Sequence, residues 1–375
     1  MKILKICYVL GTLEVGGAEK QLQLLIRDLD RKRFEPIMVA LRGGRMQKDF
    51  EKICKVHIIG KRWKLDILFL VRLIKVIKSE KPDIVHTSMF TSNLWGRLAG
   101  VINRVPVIIG SELSMDFWKT PFYFFIDRFF AKYSQNIVCN SKEVKERYKK
   151  TLGKYSDKLS VIYNGIDMPF FDRVEYKEKI KEEFGIKDEI VVLTGGRLCA
   201  EKGLDYFLQA ASMVVKEFDE VKFLIVGEGE KREELLELTD KLKLNKFVIF
   251  TGYRNDLSDV MKVSDIVVLS SLWEGLPNLL IEGMALKKAV IGTGVGGTVE
   301  IVKNKVSGFV IPAKNPEELA KSILSLLKDD KKRKMMGESG YKFVKENLSL
   351  EKMVKNYEKL YEDNCGYSPC MSFRT

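Results

Sequence analysis

Short apolar runs alternate along the chain with longer stretches in which charged residues recur at helical spacing. Residues 3–10, 36–40, 56–59, 84–86, 137–139 and 161–163 form one series of such runs, dense in Ile, Val and Leu. Residues 190–193, 222–226, 247–250, 266–269 and 289–292 form a second. Runs of this length without regular polar interruption predict strands buried on both faces of a parallel sheet. The intervening residues 18–29, 65–79 and 142–152, a helix opening at Lys202-Gly203-Leu204, and residues 315–327, 328–347 and 350–361 predict helices. Strand and helix in alternation predict an α/β fold with two doubly wound, Rossmann-like sheets. The two series divide the chain into units of 1–170 and 171–349, joined near 164–185. The last helix, at about 350–362, is a candidate to pack back on the first unit.

One stretch carries more chemistry than the rest. The run 266–269 leads through Ser270-Ser271-Leu272-Trp273-Glu274-Gly275-Leu276 into an apolar helix opening at Pro277. Pro277 suits the first helical position, where a missing N–H costs nothing. The amides of Asn278, Leu279 and Leu280 are then donors without intrahelical partners at the positive end of a helix dipole, a receptor for phosphate. Gly275 lets a ligand approach the backbone. Glu282 falls among Leu279, Leu280, Ile281 and Met284, where an unpaired carboxylate is costly without a ligand or partner. Glu274 before the turn and Glu282 within the helix bracket the phosphate position from two sides, the arrangement a sugar, a diphosphate and a ribose in a row would fill.

Glu274-x7-Glu282, headed by Glu-Gly-Leu-Pro-Asn, resembles the E-x7-E signature of glycosyltransferase family 4, retaining enzymes of the GT-B fold that use nucleotide-sugars. The resemblance extends to Gly16-Gly17-Ala18-Glu19, Asn164-Gly165-Ile166-Asp167, Gly196-Arg197-Leu198 with Lys202-Gly203, and Val226-Gly227-Glu228-Gly229, and so covers the chain to about Pro312. It implies two Rossmann-like domains facing each other across a cleft, the second binding the donor and the first the acceptor. It implies that Glu282 holds the ribose hydroxyls and Glu274 the hydroxyls of the transferred sugar, while amides from Gly275 to Leu280, Leu276 included, meet sugar and phosphate. Arg197 and Lys202 are assigned to the leaving diphosphate, Gly16 and Gly17 to the donor phosphates from across the cleft, and the segment ending in Arg254 to the base. In this family a histidine often touches the donor sugar from a strand end. Here Glu112 stands in that segment, so either His86, at the preceding strand end, or Glu112 is the candidate for that contact. Transfer with retention follows, plausibly by front-face attack assisted by the leaving phosphate. A nucleotide-sugar 2-epimerase of the same fold and a basic nucleic-acid-binding protein are the alternatives. No nucleic-acid-binding motif supports the second.

Charge adds a partner. Residues 1–170 hold 31 Lys+Arg against 17 Asp+Glu, a net +14, and the remaining 205 hold 33 against 34, a net −1, which together give the +13 of the chain. The excess on the first half predicts an anionic partner there. Residues 116–133 are the most unusual in composition, with nine aromatic residues in 18 and Lys119, Arg128 and Lys132 among them. Rings and cations mixed on one helix suit a membrane interface. Phe117, Trp118, Phe122, Tyr123, Phe125 and Arg128 are therefore expected to contact an anionic inner leaflet, where a lipid-linked or saccharide acceptor would be met. The basic stripe on residues 65–79 is more simply a helix packed on a sheet. Residues 1–11 are interrupted by Lys5 and do not form a signal peptide, and no uncharged run approaches a membrane span. Six scattered cysteines without a CxxC fit a reducing cytosol, and a location on the cytoplasmic membrane face is expected. Asp28-Leu29-Asp30 is a DxD, but it ends a helix before Arg31-Lys32-Arg33. With only two histidines in the chain, no metal and no cofactor are expected. Two formal matches are decoys: that DxD, and Gly292-x-Gly294-x-x-Gly297, which follows a late strand.

Overall fold

A computed structural model describes residues 2–60, 68–115, 117, 119–171 and 177–366. The apolar runs become two all-parallel sheets. The first contains β1 (Leu4–Leu10), β2 (Phe34–Ala40), β3 (Lys55–Ile58), β4 (Ile84–Ser88), β5 (Val107–Glu112), β6 (Asn136–Cys139) and β7 (Leu159–Val161), in spatial order β3-β2-β1-β4-β5-β6-β7. The second contains β8 (Ile190–Gly195), β9 (Val221–Val226), β10 (Val248–Gly252), β11 (Ile266–Leu269), β12 (Ala289–Thr293) and β13 (Gly308–Ile311), in order β10-β9-β8-β11-β12-β13. In each sheet the order reverses once, between β1 and β4 and between β8 and β11. Such a reversal opens a crevice at the carboxyl ends of the strands, where doubly wound folds bind ligands.

The strands are apolar throughout because both faces are covered. Ile6, Tyr8 and Leu10 of β1 pack on one side with Leu22, Leu25 and Ile26 of the helix Gly17–Asp28, and Cys7 and Val9 on the other with Phe69, Leu73 and Ile77 of the helix Leu68–Glu80. That i, i+4, i+8 triplet makes the second helix a sheet-packing element. Lys61, Lys64 and the expected start of this helix at residues 65–67 lie outside the described residues. Phe207, Leu208 and Ala211 of the helix Leu204–Val214 and Leu319, Ile323 and Leu326 of the helix Pro316–Leu327 cover the second sheet.

The chain divides into a unit of Met1–Gly165 with Leu350–Thr375 and a unit of Ile166–Ser349. The C-terminal helix Leu350–Cys365 is built into the first unit. Its Tyr361 is fully buried, with its hydroxyl 3.0 Å from that of Tyr8, and Glu358 accepts the Asp30 N–H at 2.9 Å. Arg33 pairs with Glu362 at 2.8 Å. Among the described residues Cys7, Cys54, Cys139, Cys199 and Cys365 are free thiols, and no helix is long and apolar enough to cross a membrane.

Candidate functional site

The reversal in the second sheet brings together two loops far apart in sequence. The loop after β8 carries Gly196, Arg197 and Lys202; the loop after β11 carries Ser270, Ser271 and Glu274. Lys202 Nζ donates to Glu274 Oε1 at 2.6 Å, across 72 positions of chain, and Ser271 Oγ donates to the same oxygen at 2.6 Å. The side chains of Lys202 and Glu274 are 19% and 12% exposed, so the pair lies at the edge of the fold and not within the core. Burial works against the Lys202 charge, but the Glu274 carboxylate outweighs it and raises the ammonium pKa, keeping Lys202 cationic.

The backbone that sets this geometry is close-packed. Ser270 Oγ donates to the Lys202 carbonyl at 2.9 Å, and the Leu272 N–H donates to the Glu201 carbonyl at 2.8 Å. Gly203 has φ +55°, and a Cβ there would lie 2.4 Å from the Ser270 carbonyl oxygen, so the two loops meet as closely as they do because residue 203 has no side chain. The glycines at 292–297 serve the same turn. Gly296, at φ +56°, would place a Cβ 2.2 Å from the Glu274 carbonyl oxygen, and the Gly297 N–H donates to the Gly275 carbonyl at 2.7 Å. Gly292 leaves room for Leu280 and Thr298. This glycine pattern buttresses the Glu274 turn.

The helix after the turn is Asn278–Ala285, one residue shorter than the sequence suggests. Pro277 is the residue before the helix, with extended ψ of 94°, and not its first member. The Leu280 N–H donates to the Pro277 carbonyl at 3.1 Å, so Leu280 is not among the amides offered to a ligand; Asn278 and Leu279 lead the helix. No side chain caps this end and its first turn has no acidic residue, so the positive end of the dipole is not offset by a carboxylate there. Leu276, Leu279, Leu280, Ile281 and Met284 are buried, with Gly275 and Leu276 forming the floor of the turn. Glu282 is half-buried one helical turn after Asn278. Arg197 is the exposed member of the set, its side chain 66% accessible and 3.3 Å from Glu201.

Other expected residues are placed elsewhere. Arg254 Nε and Nη2 donate to Asp256 at 2.8 and 2.7 Å, Nη1 and Nη2 bind Glu183, and the guanidinium lies over the Phe184 ring. Its side chain thus ties the helix Lys177–Glu183 to the end of strand β10, which leaves the segment's backbone as its means of meeting a base. His86 does not face a ligand. It is buried in β4 with Nδ1 2.8 Å from Tyr361 Oη and Nε2 2.7 Å from Ser111 Oγ, and burial lowers its pKa from 6.5 to about 3. A neutral ring held at both nitrogens joins β4, β5 and the C-terminal helix.

Glu112 is also consumed internally. It accepts from Asn93 Nδ2 at 2.8 Å and from Arg97 Nη2 and Lys119 Nζ at 3.3 Å each, all buried. Lys119 also donates to Asp127 at 2.9 Å, and burial followed by the Glu112 charge raises the Asp127 pKa to about 6. This four-charge cluster fastens the loop before the helix Pro121–Ala131 to the sheet. Sequence reading missed Arg97, which is 1% exposed on the helix Phe90–Ile102, because nothing local distinguishes it from a surface cation. Gly16 caps the helix Gly17–Asp28, and the Glu19 carboxylate folds back so that a Cβ at Gly16 would lie 2.2 Å from Oε2. Gly17, the first residue of that helix, is exposed. Asp28 pairs with Arg27 at 2.6 Å and Asp30 accepts the Lys32 N–H at 2.9 Å, so the DxD is a helix terminus.

The aromatic segment is largely outward-facing. Phe122 and Phe125 are each 66% exposed and Phe129 50%, a stripe at helical spacing continued by Tyr133. Phe117 is exposed with the Arg147 guanidinium 4.2 Å from its ring centroid, and Arg128 is exposed. Tyr123 is half-buried edge-on against Phe90, which removes it from the exposed stripe, and Phe130 is core. Trp118 lies outside the described residues.

Comparison with known proteins supplies the family. The model "Glycosyl transferases group 1" matches residues 176–343, and "Glycosyltransferase Family 4" matches residues 15–169. The chain is 30% identical over 309 residues, 80% of either sequence, to the UDP-Gal:alpha-D-GlcNAc-diphosphoundecaprenol alpha-1,3-galactosyltransferase of Escherichia coli. It is 30% identical over 216 residues, 56% of this chain and 55% of the relative, to the N-acetyl-alpha-D-glucosaminyl L-malate synthase of Bacillus anthracis. Among solved structures, HepE of Anabaena in complex with UDP-glucose has a TM-score of 0.88 at 20% identity, over 96% of this chain and all of that one. That likeness gives both parallel sheets the GT-B fold. With the paired Lys202 and Glu274, the uncapped helix start, and a relative matched over four fifths of its length, the chain belongs to glycosyltransferase family 4.

Proposed function

We propose that this hexosyltransferase moves a sugar from a UDP-sugar, a UDP-hexose or UDP-N-acetylhexosamine, to a lipid-linked acceptor, with retention of the anomeric configuration. The observation that carries the reading is the convergence of Lys202, Ser271 and Glu274 beside the start of the helix Asn278–Ala285, at the reversal of the second sheet. A diphosphate there meets the helix dipole and the Lys202 ammonium, with Arg197, held 3.3 Å from Glu201, as the second cation of the loop. As the bond from sugar to phosphate breaks, negative charge grows on the diphosphate. Cations fixed at that point stabilise the transition state more than the ground state, typically by several kcal/mol. Glu274 takes the hydroxyls of the transferred sugar and Glu282 those of the ribose. No protein nucleophile is required when the leaving phosphate accepts the acceptor's proton on the same face. The fixed cations do the work that a metal ion does in other transferases, so the reaction is metal-independent.

The choice of UDP is supported by the E. coli relative, whose name specifies UDP-Gal and a diphosphoundecaprenol-linked acceptor, and by the UDP-glucose complex of HepE. The acceptor is assigned to the first unit, which carries the excess positive charge. We place the enzyme at the cytoplasmic membrane face, docked through the Phe122, Phe125 and Phe129 stripe, with Phe117 and Arg128 beside it. Incubation with UDP-sugars and a polyprenyl-diphosphate-linked saccharide, in EDTA, tests the reading: product with the α-linkage of the donor supports it. Transfer from a GDP- or ADP-sugar alone, an inverted product, or a requirement for divalent metal overturns the corresponding part.

A further inference from the structure

Glu274 Oε1 has two donors within the same loop pair, and they are not equivalent. Lys202 sits at the rim with its side chain 19% exposed, and an arriving diphosphate, with more negative charge than one carboxylate, competes for its ammonium. Ser271 is 0% exposed and cannot follow. Its carbonyl accepts Thr293 Oγ1 at 2.6 Å from the end of β12, and the next residue donates its N–H to the Glu201 carbonyl at 2.8 Å. The single hydroxyl proton of Ser271 is committed to Glu274. On the far side of the turn, Gly296 and Gly297 hold the Glu274 and Gly275 backbone. Ser271 is therefore the donor to Glu274 that stays in place when Lys202 turns away.

Building on the donor site proposed above, we propose that Ser271 is a positioning residue that keeps the Glu274 carboxylate aimed at the transferred sugar once Lys202 has engaged the diphosphate. With its Oε1 anchored on Ser271, Glu274 presents Oε2 to the sugar hydroxyls in one orientation. Without the anchor the carboxylate rotates, and the sugar, but not the nucleotide, loses a fixed partner.

The test separates sugar recognition from the integrity of the turn. Wild-type, Ser271→Ala and Ser271→Thr proteins are titrated with UDP and with the tightest-binding of UDP-glucose, UDP-galactose and UDP-N-acetylglucosamine, and kcat and KM are measured for the same donor. In Ser271→Ala, UDP affinity is expected to stay within about twofold of wild type, while affinity for the intact donor and kcat each fall about tenfold, the effect of one charge-assisted hydrogen bond. Ser271→Thr, which keeps the hydroxyl, is expected to recover most of the loss. Equal losses for UDP and UDP-sugar, or wild-type values for both in Ser271→Ala, overturn the positioning role while leaving the donor site standing. A wild-type protein that binds neither UDP nor any of the UDP-sugars overturns the donor site itself.

Discussion

Replacing Lys202 by Met removes the ammonium but keeps most of the packing of its stem, and its consequences divide between stability and catalysis. Glu274, 12% exposed beside Lys202, keeps the Ser271 hydroxyl as a donor. Breaking a fully buried pair on one side costs about 3–5 kcal/mol. Here both partners reach the surface and one hydrogen bond survives, so a loss of about 1–2 kcal/mol follows, a few degrees in the melting of a unit this size. The effect on transfer is larger. Removing one preorganised charge from a developing anion costs about a hundred- to a thousandfold in kcat. The double variant Lys202→Met/Glu274→Gln separates the two, because the uncompensated carboxylate is gone. Thermal denaturation is expected to return close to wild type while transfer stays as low as in the single variant or lower. Lys202→Met retaining transfer within tenfold of wild type, or a double variant that recovers rate along with stability, refutes the assignment.

Four further outcomes follow from the same structure. Tyr361→Phe removes a hydroxyl that bonds Tyr8 and His86 in the core, and is expected to cost about 1–3 kcal/mol in denaturant unfolding without changing kcat; a catalytic loss at unchanged stability would return His86 to the site. Folding keeps His86 neutral, so its contribution is complete above the unfolded pKa of 6.5 and declines as pH falls toward about 3; His86→Asn should flatten that acid limb of the stability profile. Changing Phe122, Phe125 and Phe129 together to Ser should abolish flotation with vesicles containing anionic lipid and leave the melting temperature unaltered, since all three rings are exposed; equal flotation of variant and wild type removes the docking face. Gly296→Ala forces a Cβ against the Glu274 carbonyl at a positive φ, and is expected to weaken UDP-sugar binding and stability together in the second unit.

What was legible in the sequence was local. The run 266–269 and the helices at 142–152 and after Asn315 are observed at the positions their periodicity predicts, and the Ser141 and Asn315 side chains cap the two helices by accepting the Val144 and Glu318 N–H groups. The Glu274 turn was recognisable because a strand, a proline and an apolar helix follow one another without interruption. The unforeseen features are long-range or fall against the hydrophobic pattern. The helix Phe90–Ile102 buries Asn93 and Arg97 on the face that meets the sheet, so polarity concealed its inner side. Arg254 appears free until Glu183, 71 positions earlier, is folded against it. Glu112 stands at a strand end where α/β folds place ligands, yet Arg97, Lys119 and Asn93 converge on it from other elements. Pro277 shows the limit of helix-start rules, because proline suits the first helical position and the residue before it almost equally, and only the observed ψ decides.

The central claim is that the second unit holds the nucleotide at the meeting of the two loops. Calorimetric titration of the wild-type protein and of Glu282→Ala with UDP, GDP and ADP tests it most directly. Wild type is expected to bind UDP saturably and in preference to the other two, and the variant to lose about tenfold or more as the ribose hydroxyls lose their carboxylate. Binding of UDP with equal affinity by both proteins, or no binding of any of the three by wild type, would contradict it.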